Sequence, residues 1–360
     1  MIHAVKKLNH RIYPKKLFYG IKWVVLGVNN ICNLHCKMCD VGLKVNDTNF
    51  AVNLTGTKPI NMPLELVKRV IDQTDSYYPK AKLGYAFTEP LIYPHLIESL
   101  QYANEKNLFT TITTNALNLE HKAADLVQAG LNEIYISLDG PEEIHNSIRG
   151  HKSSYSRAIR GIEALLETKN PPAISIFCVI TEWNIGHLKR FVEDVRHLTL
   201  KEVGFMHTNF TTKAMAETHN QLLLGEYPAT VSNMDEIDFT KMDLEVLHQE
   251  IEEITHTDYP FETTFSPEIH SRAQLDKFYN RPDISFGRRC NDVFNNLMIK
   301  SDGSVIPAHG RCYNLTIGNV YDESLKDIWN SQVVANFRVT LNKHGGLLPA
   351  CLRCCSAFSS

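Results

Sequence analysis

Three cysteines near the N-terminus, Cys32, Cys36 and Cys39, lie within eight residues of one another. Three thiolates leave a tetrahedral zinc site or a four-iron cluster one ligand short, because both bind four. A metal centre held in this way keeps an open coordination position, where a substrate or cofactor can bind. The residues between the cysteines are mostly polar, which argues against three thiols buried in a core. The spacing therefore predicts a reactive metal site.

Five further cysteines lie toward the C-terminus: Cys290, Cys312, Cys351, Cys354 and Cys355. A complete set of ligands needs four, so one of them is in excess. Four thiolates, two of them in a C-x2-C pair, are also compatible with a structural zinc site. The chain has nine cysteines, an odd number that is grouped rather than spread, which favours metal ligation over disulfides. The ninth, Cys178, is expected to be a small core residue on a strand.

The elements that would position these cysteines alternate regularly between strand and helix. Six strands are predicted in ranges 22–28, 82–87, 108–113, 133–138, 173–180 and 202–207. Alternation of this kind favours parallel βαβ units, closed either as an open doubly wound sheet or as a barrel-like (β/α)6 sheet. In both, chemistry gathers at the carboxyl ends of the strands. A dinucleotide-binding fold lacks its main support, because no G-x-G-x-x-G motif follows the first strand.

Beyond these strands, the alternation fails over 208–287, which is interpreted as a connector and cover. The remaining residues, 288–360, are predicted to form a small α+β module with a hairpin around Asp302-Gly303. The predicted units are thus a basic segment 1–20, a barrel 21–207, the connector 208–287 and the C-terminal module 288–360. Near the end of the sixth strand, the candidates for a general base or hydrogen donor are His207, Glu217 and His219, and none of them is assigned that role.

The charge of the chain is nearly balanced overall but uneven along its length. There are 37 basic and 40 acidic side chains, and seven of the basic ones precede the first acid, Asp40. A net charge of −3 excludes a uniformly basic nucleic-acid binder. No apolar run near the N-terminus approaches the length of a membrane span or a secretion signal, so a cytoplasmic protein is expected. The basic segment, with its aromatic residues, is compatible with peripheral contact with an anionic membrane or with a solvated tail.

The first cysteine group resembles the C-x3-C-x2-C loop of the radical S-adenosylmethionine (radical SAM) superfamily. The resemblance implies a partial (β/α)6 TIM barrel and a 4Fe–4S cluster held by Cys32, Cys36 and Cys39. In that family S-adenosylmethionine binds the open iron and is cleaved to a deoxyadenosyl radical that abstracts hydrogen from a substrate. A reductant such as flavodoxin or ferredoxin is implied as the electron donor. The protein's task is to position the cofactor and to keep water away.

Later motifs extend this resemblance along the predicted barrel. Phe87-Thr88-Glu89-Pro90 is similar to a G-G-E-P turn without its glycines, and Asn115 falls in a T-N-G-like sequence in which Ala116 replaces glycine. Ile136 to Gly150 resembles an I-S-L-D-G…R-G stretch. The resemblance implies five cofactor-binding residues: Met38, Glu89, Asn115, Ser137 and Arg149. For Asp139 a turn residue, and for Asn184 a helix cap, are equally good explanations.

The C-terminal cysteines resemble those of SPASM/twitch auxiliary domains. By that resemblance, Cys290, Cys312, Cys351 and Cys354 are expected to bind a single auxiliary 4Fe–4S cluster, with Cys355 as an alternative to Cys354. The family places a cysteine where Ala308 stands here. His309, beside the hairpin, is expected to be an ordinary polar loop residue, with a ligand role as the alternative.

Together these features predict a radical SAM oxidoreductase whose auxiliary cluster relays an electron. A small-molecule or lipid-linked substrate is favoured over a ribosomal peptide, because only about 20 residues precede the first strand, too few for a separate peptide-recognition domain. The alternatives are a peptide-modifying maturase, an iron–sulfur electron-transfer or redox-sensing protein without radical chemistry, and a zinc-stabilised scaffold. The three-cysteine loop opposes the electron carrier, which gains nothing from an open iron.

Overall fold

A computed structural model describes residues 2–57 and 61–358. Within them, ten strands form one sheet in the order β10-β9-β8-β1-β2-β3-β4-β5-β6-β7. The strands are β1 Trp23–Leu26, β2 Lys82–Tyr85, β3 Thr110–Thr114, β4 Glu133–Ser137, β5 Ala173–Ile180, β6 Glu202–His207, β7 Glu262–Ser266, β8 Asn296–Ile299, β9 Ser304–Pro307 and β10 Gly318–Asn319.

The six predicted barrel strands are all present and pair in parallel from β1 to β6. The sheet does not close on itself, because β10 and β7 remain as its two edges. The prediction of an α/β fold with a partial barrel is confirmed. The carboxyl ends of all six strands therefore lie at one end of the sheet, where the loops that follow them meet.

Helices follow most strands and cover the sheet with their apolar faces. The α-helices are α1 Ile2–Ile12, α2 Asn49–Thr55, α3 Leu64–Tyr77, α4 Leu96–Glu105, α5 Ala123–Gln128, α6 Glu142–Arg149, α7 Ser154–Leu166, α8 Leu188–Asp194, α9 Lys213–Leu222, α10 Leu244–Thr255, α11 Arg272–Asn280, α12 Leu325–Trp329 and α13 Gln332–Lys343. Side-chain caps begin several of them; Ser324, for example, accepts from the backbone N–H of Asp327 at the start of α12. Helix α3 illustrates how the helices pack, because its buried apolar residues recur at helical spacing: Leu66, Val67, Val70 and Ile71.

The connector contributes a seventh parallel strand that was not expected from the sequence. Strand β7 pairs with β6 along its whole length, and the Phe265 ring stacks on Phe205 with the two ring centres 4.8 Å apart. Phe265 is the single buried residue of this strand. An edge strand of this kind lacks the hydrophobic run that marks a buried parallel strand, so sequence periodicity does not reveal it.

The C-terminal module continues the same sheet. The predicted hairpin is present as β8 and β9, and β8 pairs in parallel with β1, next to the first cysteine loop. One hydrophobic core extends from the barrel into this module. The two cysteine regions are therefore attached to adjacent strands rather than separated by a linker.

The basic segment packs against the C-terminal module. The Trp329 indole donates to the backbone oxygen of Tyr19, and the amide of Leu17 donates to Asn330. His10 stacks on Phe294 with the ring centres 4.4 Å apart. Of the residues described, no helix has both the length and the apolar character required to cross a membrane.

Candidate iron–sulfur and cofactor site

The first cysteine loop leaves the carboxyl end of β1 and lies against the ends of the neighbouring strands. All three of its thiols are free; Cys36 is buried, and Cys32 and Cys39 are partly exposed. The loop is attached to the end of α6, where the amide of Lys37 donates to the carbonyl of Ile148 at 2.9 Å. A Cβ on Gly150 would lie 2.9 Å from the carbonyl oxygen of His35, so this close approach requires glycine.

Arg149 at the end of α6 reaches the middle thiol of the loop. Its Nη1 lies 3.7 Å from Cys36 Sγ, and its Nε donates to Asp139 Oδ2 at 2.5 Å. Asp139 is fully buried, and its second oxygen accepts from the amide of Val179 on β5. Asp139 is therefore more than a turn residue, because it fixes the guanidinium beside the cysteine loop. The signal in the sequence was the ten-residue interval to Arg149, which spans α6.

Asn184 completes this arrangement from the loop after β5. Its side-chain nitrogen donates to the carbonyls of Asp139 and Val179, and its oxygen accepts from the amide of Thr181. A helix cap alone would not tie two strand ends together. Asn184 thus holds the turn that carries Asp139.

Asn115, after β3, reaches the first thiol of the loop. Its Nδ2 lies 3.9 Å from Cys32 Sγ and donates to Asn33 Oδ1 at 2.8 Å. Its backbone amide donates to Glu89 Oε2 at 2.8 Å. The ends of β2 and β3 are thereby connected to the cysteine loop.

Glu89 is a buried carboxylate surrounded by neutral donors. Besides the amide of Asn115, it accepts from the hydroxyl of Thr114 and the amide of Leu91. No ion pair of the described residues includes it. Burial raises the pKa of Glu89, and these hydrogen bonds oppose the rise. A carboxylate in such a place is suited to an ammonium group.

Met38 and Ser137 differ in their surroundings. Met38 is buried in a small apolar cluster with Leu34, Cys36 and Ile148. Ser137 is the last residue of β4, at the carboxyl-terminal end of the sheet, and is partly exposed. Four of the five predicted cofactor residues are thus buried. Met38 lies in the cysteine loop, Glu89, Asn115 and Ser137 lie at strand ends, and Arg149 lies at the end of α6.

Two positions at which the motifs lack glycine keep a glycine-like backbone. Phe87 has φ of +89° and Ala116 has φ of +59°, both in the left-handed region. Side chains there cost roughly 1–2 kcal/mol relative to ordinary backbone. The loops after β2 and β3 therefore have a backbone conformation that favours glycine, although the glycines are absent.

The second cysteine group is assembled from three segments. Cys290, Cys312, Cys351 and Cys354 line one cavity, which is also lined by Arg311 and Phe50. The hydroxyl of Tyr313 lies 3.0 Å from Cys351 Sγ. The structure thus brings together the four predicted auxiliary ligands.

His309 has a more specific environment than expected. Its Nε2 lies 3.4 Å from Cys354 Sγ and 3.9 Å from Cys355 Sγ, and 2.7 Å from the hydroxyl of Ser356. His309, Cys354 and Cys355 are close enough to hold a metal ion together. Ala308 before it has φ of +66°. The imidazole therefore lies beside two of the C-terminal thiols.

Both sets of thiols fit iron–sulfur ligation by their chemistry. Burial raises the pKa of Cys36 to about 12, although the charge of Arg149 acts against it. Burial likewise raises the pKa of Cys290 and Cys351. Buried thiols of this kind become thiolates when a metal supplies the compensating charge. Nitrogen donors at Cys32 and Cys36 would hydrogen-bond to such thiolates.

The polar residues considered near the sixth strand are dispersed. His207 is fully buried and bonds to the hydroxyl of Tyr279, and burial lowers its pKa to about 3. His219 lies beside Tyr313 in the auxiliary region, and Glu217 lies 3.8 Å from Lys213 on the surface of α9. No catalytic base is evident among the three.

Comparison with known proteins identifies the family. Residues 27–195 match the radical SAM superfamily, and residues 290–355 match the SPASM iron-sulfur cluster-binding domain. The chain is a radical SAM enzyme with a SPASM domain. A SAM-binding 4Fe–4S cluster, S-adenosylmethionine and an auxiliary iron–sulfur cluster are its cofactors, as predicted.

Several curated proteins resemble this radical SAM enzyme. An uncharacterised protein of Methanocaldococcus jannaschii is 27% identical over 60% of this chain and 75% of its own length. Fe-coproporphyrin III synthase of Methanosarcina barkeri is 25% identical over 56% of this chain and 48% of its own. A tungsten-containing aldehyde ferredoxin oxidoreductase cofactor-modifying protein of Pyrococcus furiosus is 22% identical over 93% of this chain and 87% of its own.

Two solved radical SAM structures share the fold. SuiB of Streptococcus suis has a TM-score of 0.61 and 14% identity, covering 94% of this chain and 72% of SuiB. anSMEcpe with bound AdoMet has a TM-score of 0.57 and 18% identity, covering 88% of this chain and 82% of that protein. At these identities the likeness concerns the fold alone.

Proposed function

We propose that Cys32, Cys36 and Cys39 hold the SAM-binding cluster, and that the auxiliary cluster is held by Cys290, Cys312, Cys351 and Cys354. The observation that carries the first assignment is the nitrogen of Arg149 and that of Asn115 beside two of the loop's sulfur atoms. The second rests on four thiols that line one cavity. The chain divides accordingly into the segments 1–20, 21–207, 208–287 and 288–360, although one sheet passes through three of them.

The cofactor residues take distinct roles in this proposal. Glu89 receives the ammonium group of S-adenosylmethionine, because it is a buried carboxylate whose donors are all neutral. Arg149, fixed by Asp139, binds the cofactor carboxylate. Ser137 and Asn115 offer polar groups from two strand ends, and Met38 supplies an apolar surface beside the loop.

When bound, the cluster and S-adenosylmethionine supply a deoxyadenosyl radical that abstracts hydrogen from the substrate. The chain's own part is to orient the cofactor by these contacts and to exclude water. The buried apolar side chains around Met38 serve the second task. An auxiliary cluster with four thiolate ligands is suited to relaying an electron rather than to binding substrate.

The assignment is tested by reconstituting the protein without oxygen, reducing it and measuring deoxyadenosine. The wild type is expected to bind S-adenosylmethionine and release deoxyadenosine. The triple variant Cys32→Ala/Cys36→Ala/Cys39→Ala is expected to release none. Deoxyadenosine formation by that variant would refute the assignment of the first cysteine group.

For the substrate, we infer a small molecule or a lipid-linked molecule. Relatives named as a coproporphyrin synthase and as a cofactor-modifying protein support a substrate other than a peptide. A ribosomal peptide is the alternative, since SuiB shares the fold and has been crystallised with its precursor peptide. An extract from the source organism is expected to stimulate deoxyadenosine release even after complete protease digestion. Loss of stimulation after digestion would favour the peptide.

The basic segment is proposed to contact an anionic membrane surface. Four large apolar side chains are exposed within residues 8–18, namely Leu8, Ile12, Tyr13 and Phe18, and Phe18 is 72% exposed. Exposed cations lie among them at Arg11, Lys15 and Lys16. Apolar groups interspersed with cations are typical of interfacial helices.

Vesicle co-sedimentation tests this contact. The wild type is expected to bind vesicles with phosphatidylserine at low salt more than neutral vesicles. The double variant Ile12→Ser/Phe18→Ser is expected to bind less, while Phe109→Ser on another surface serves as the control. Equal partitioning of all three proteins would exclude the membrane contact.

A further inference from the structure

Arg311 belongs to both cysteine regions. Its backbone directly precedes Cys312, and its amide donates to His309 Nδ1 at 3.1 Å. It lines the same cavity as Cys290, Cys351 and Cys354, and its side chain reaches Phe50 on α2. There the guanidinium carbon is 4.4 Å from the centre of the Phe50 ring.

A polar bridge continues from Arg311 to the residue after Cys39. With its side-chain oxygen toward the guanidinium, Asn233 accepts from Arg311 Nη1 at 2.9 Å and donates to Asp40 Oδ1 at 3.1 Å. The reverse orientation would place the amide NH2 group against the guanidinium. The backbone amide of Asn233 donates to the same Asp40 oxygen at 2.8 Å. The bridge thus runs from Asp40 through Asn233 to Arg311.

The two charged ends of this bridge have no direct counter-ion among the described residues. Asp40 is 1% exposed, and its other oxygen accepts from the hydroxyls of Thr48 and Ser232. Neither Asp40 nor Arg311 takes part in an ion pair within the described ranges. The positive charge of Arg311 is therefore available to anionic sites on both sides.

The surrounding contacts hold this geometry in place. On α2, Asn53 donates to the backbone oxygens of Gly310 and Cys312, and Asn49 donates to Asn314. These bonds join the helix after the first cysteine loop to the loop that carries Arg311. The position of the guanidinium between the two regions is therefore fixed by both of them.

We propose that Arg311 couples the two iron–sulfur sites: one guanidinium, held between the Cys39 loop and the Cys312 loop, sets the reduction potentials of both clusters. This rests on the two-cluster function proposed above. Each cluster becomes more negative when it gains an electron, so a nearby cation stabilises its reduced state and raises its potential. Arg311 is a positioning and tuning residue in this proposal, with no contact to a substrate.

The test is a potentiometric titration of the full-length, reconstituted protein with dithionite, followed by electron paramagnetic resonance. Each cluster takes up one electron, and addition of S-adenosylmethionine identifies the signal of the cluster with the open iron. Arg311→Gln is expected to shift both midpoint potentials to more negative values, and Arg311→Lys to shift them less. Arg160→Gln, an exposed cation on α7 paired with Glu120, is the control and is expected to shift neither.

The coupling is refuted if either signal of Arg311→Gln keeps its wild-type potential. If Arg311→Gln fails to load iron, the isosteric variant Asp40→Asn decides, because loss of a negative charge is expected to move the potential of the SAM-binding cluster to less negative values. An unchanged potential in Asp40→Asn then refutes the proposal. A wild-type protein without a signal sensitive to S-adenosylmethionine would instead overturn the proposed function itself.

Discussion

The two cysteine regions are built in opposite ways. The first is a single loop of eight residues that leaves β1, and the neighbouring elements contribute nitrogen donors, Asn115 and Arg149, rather than further thiols. The second gathers thiols from 290, 312 and 351–355, and adds Tyr313 and His309 beside them. The comparison teaches that three thiols with an open position need other residues to bind a cofactor. Four thiols complete the ligand set of a cluster without a cofactor.

The largest effect is expected from removing the ligands of one region at a time. Cys290→Ala/Cys312→Ala is expected to lose about four irons per chain and to keep binding S-adenosylmethionine. Cys32→Ala/Cys36→Ala/Cys39→Ala is expected to lose about the same amount of iron and all cofactor binding. Iron analysis with equilibrium dialysis measures both. Loss of cofactor binding in the first variant would break the division of roles.

Next in size is the effect of the donor beside Cys36. Arg149→Lys is expected to weaken binding of S-adenosylmethionine about 10–100-fold, because the single nitrogen of an ammonium does not reproduce the planar guanidinium, whose separate nitrogens reach Asp139 and the Cys36 sulfur. Asp139→Asn is expected to act in the same direction through the position of Arg149. Anaerobic calorimetry measures the affinity, with Arg160→Lys as the control. Wild-type affinity in both Arg149 and Asp139 variants would remove the guanidinium from the site.

In the first region, the binding of S-adenosylmethionine is expected to depend on pH through Glu89. Burial raises the pKa of Glu89, so its protonated fraction grows as the pH falls, and the attraction for the cofactor ammonium is lost. Affinity for S-adenosylmethionine is therefore expected to increase with pH in the wild type. In Glu89→Gln it should be weaker and independent of this group. Identical pH profiles for the two proteins would contradict a role for Glu89.

The smallest effect concerns the left-handed alanines, one in each region. Ala116→Gly and Ala308→Gly are expected to change stability by less than about 1 kcal/mol, because relief of the left-handed backbone offsets the loss of a buried methyl group. Ala158→Gly within α7 is expected to cost about 1–2 kcal/mol. Urea unfolding compares the three variants. Equal losses in all three would mean that the backbone at 116 and 308 carries no such cost.

Local patterns in the sequence were sufficient for the six barrel strands and the hairpin at 296–307. Buried parallel strands read as apolar runs, and a turn with Asp302-Gly303 marks a hairpin, so both signals lie within a few residues. Strand β7 was not predicted, because an edge strand with polar faces has no such apolar run. The first cysteine group was recognised for the same local reason, since its three ligands share one loop.

The sequence by itself determined the ligand types and their spacing, and hence the radical SAM and SPASM family. Only the tertiary structure decided which distant groups meet: Asp139 with Arg149, His309 with Cys354, and Arg311 with Asn233 and the loop of Cys39. These groups are separated by 10 to more than 270 residues, and the longest separation is bridged because β8 lies beside β1 in the sheet. Periodicity and spacing describe neighbours along the chain, whereas contacts across a sheet depend on how all its strands are packed.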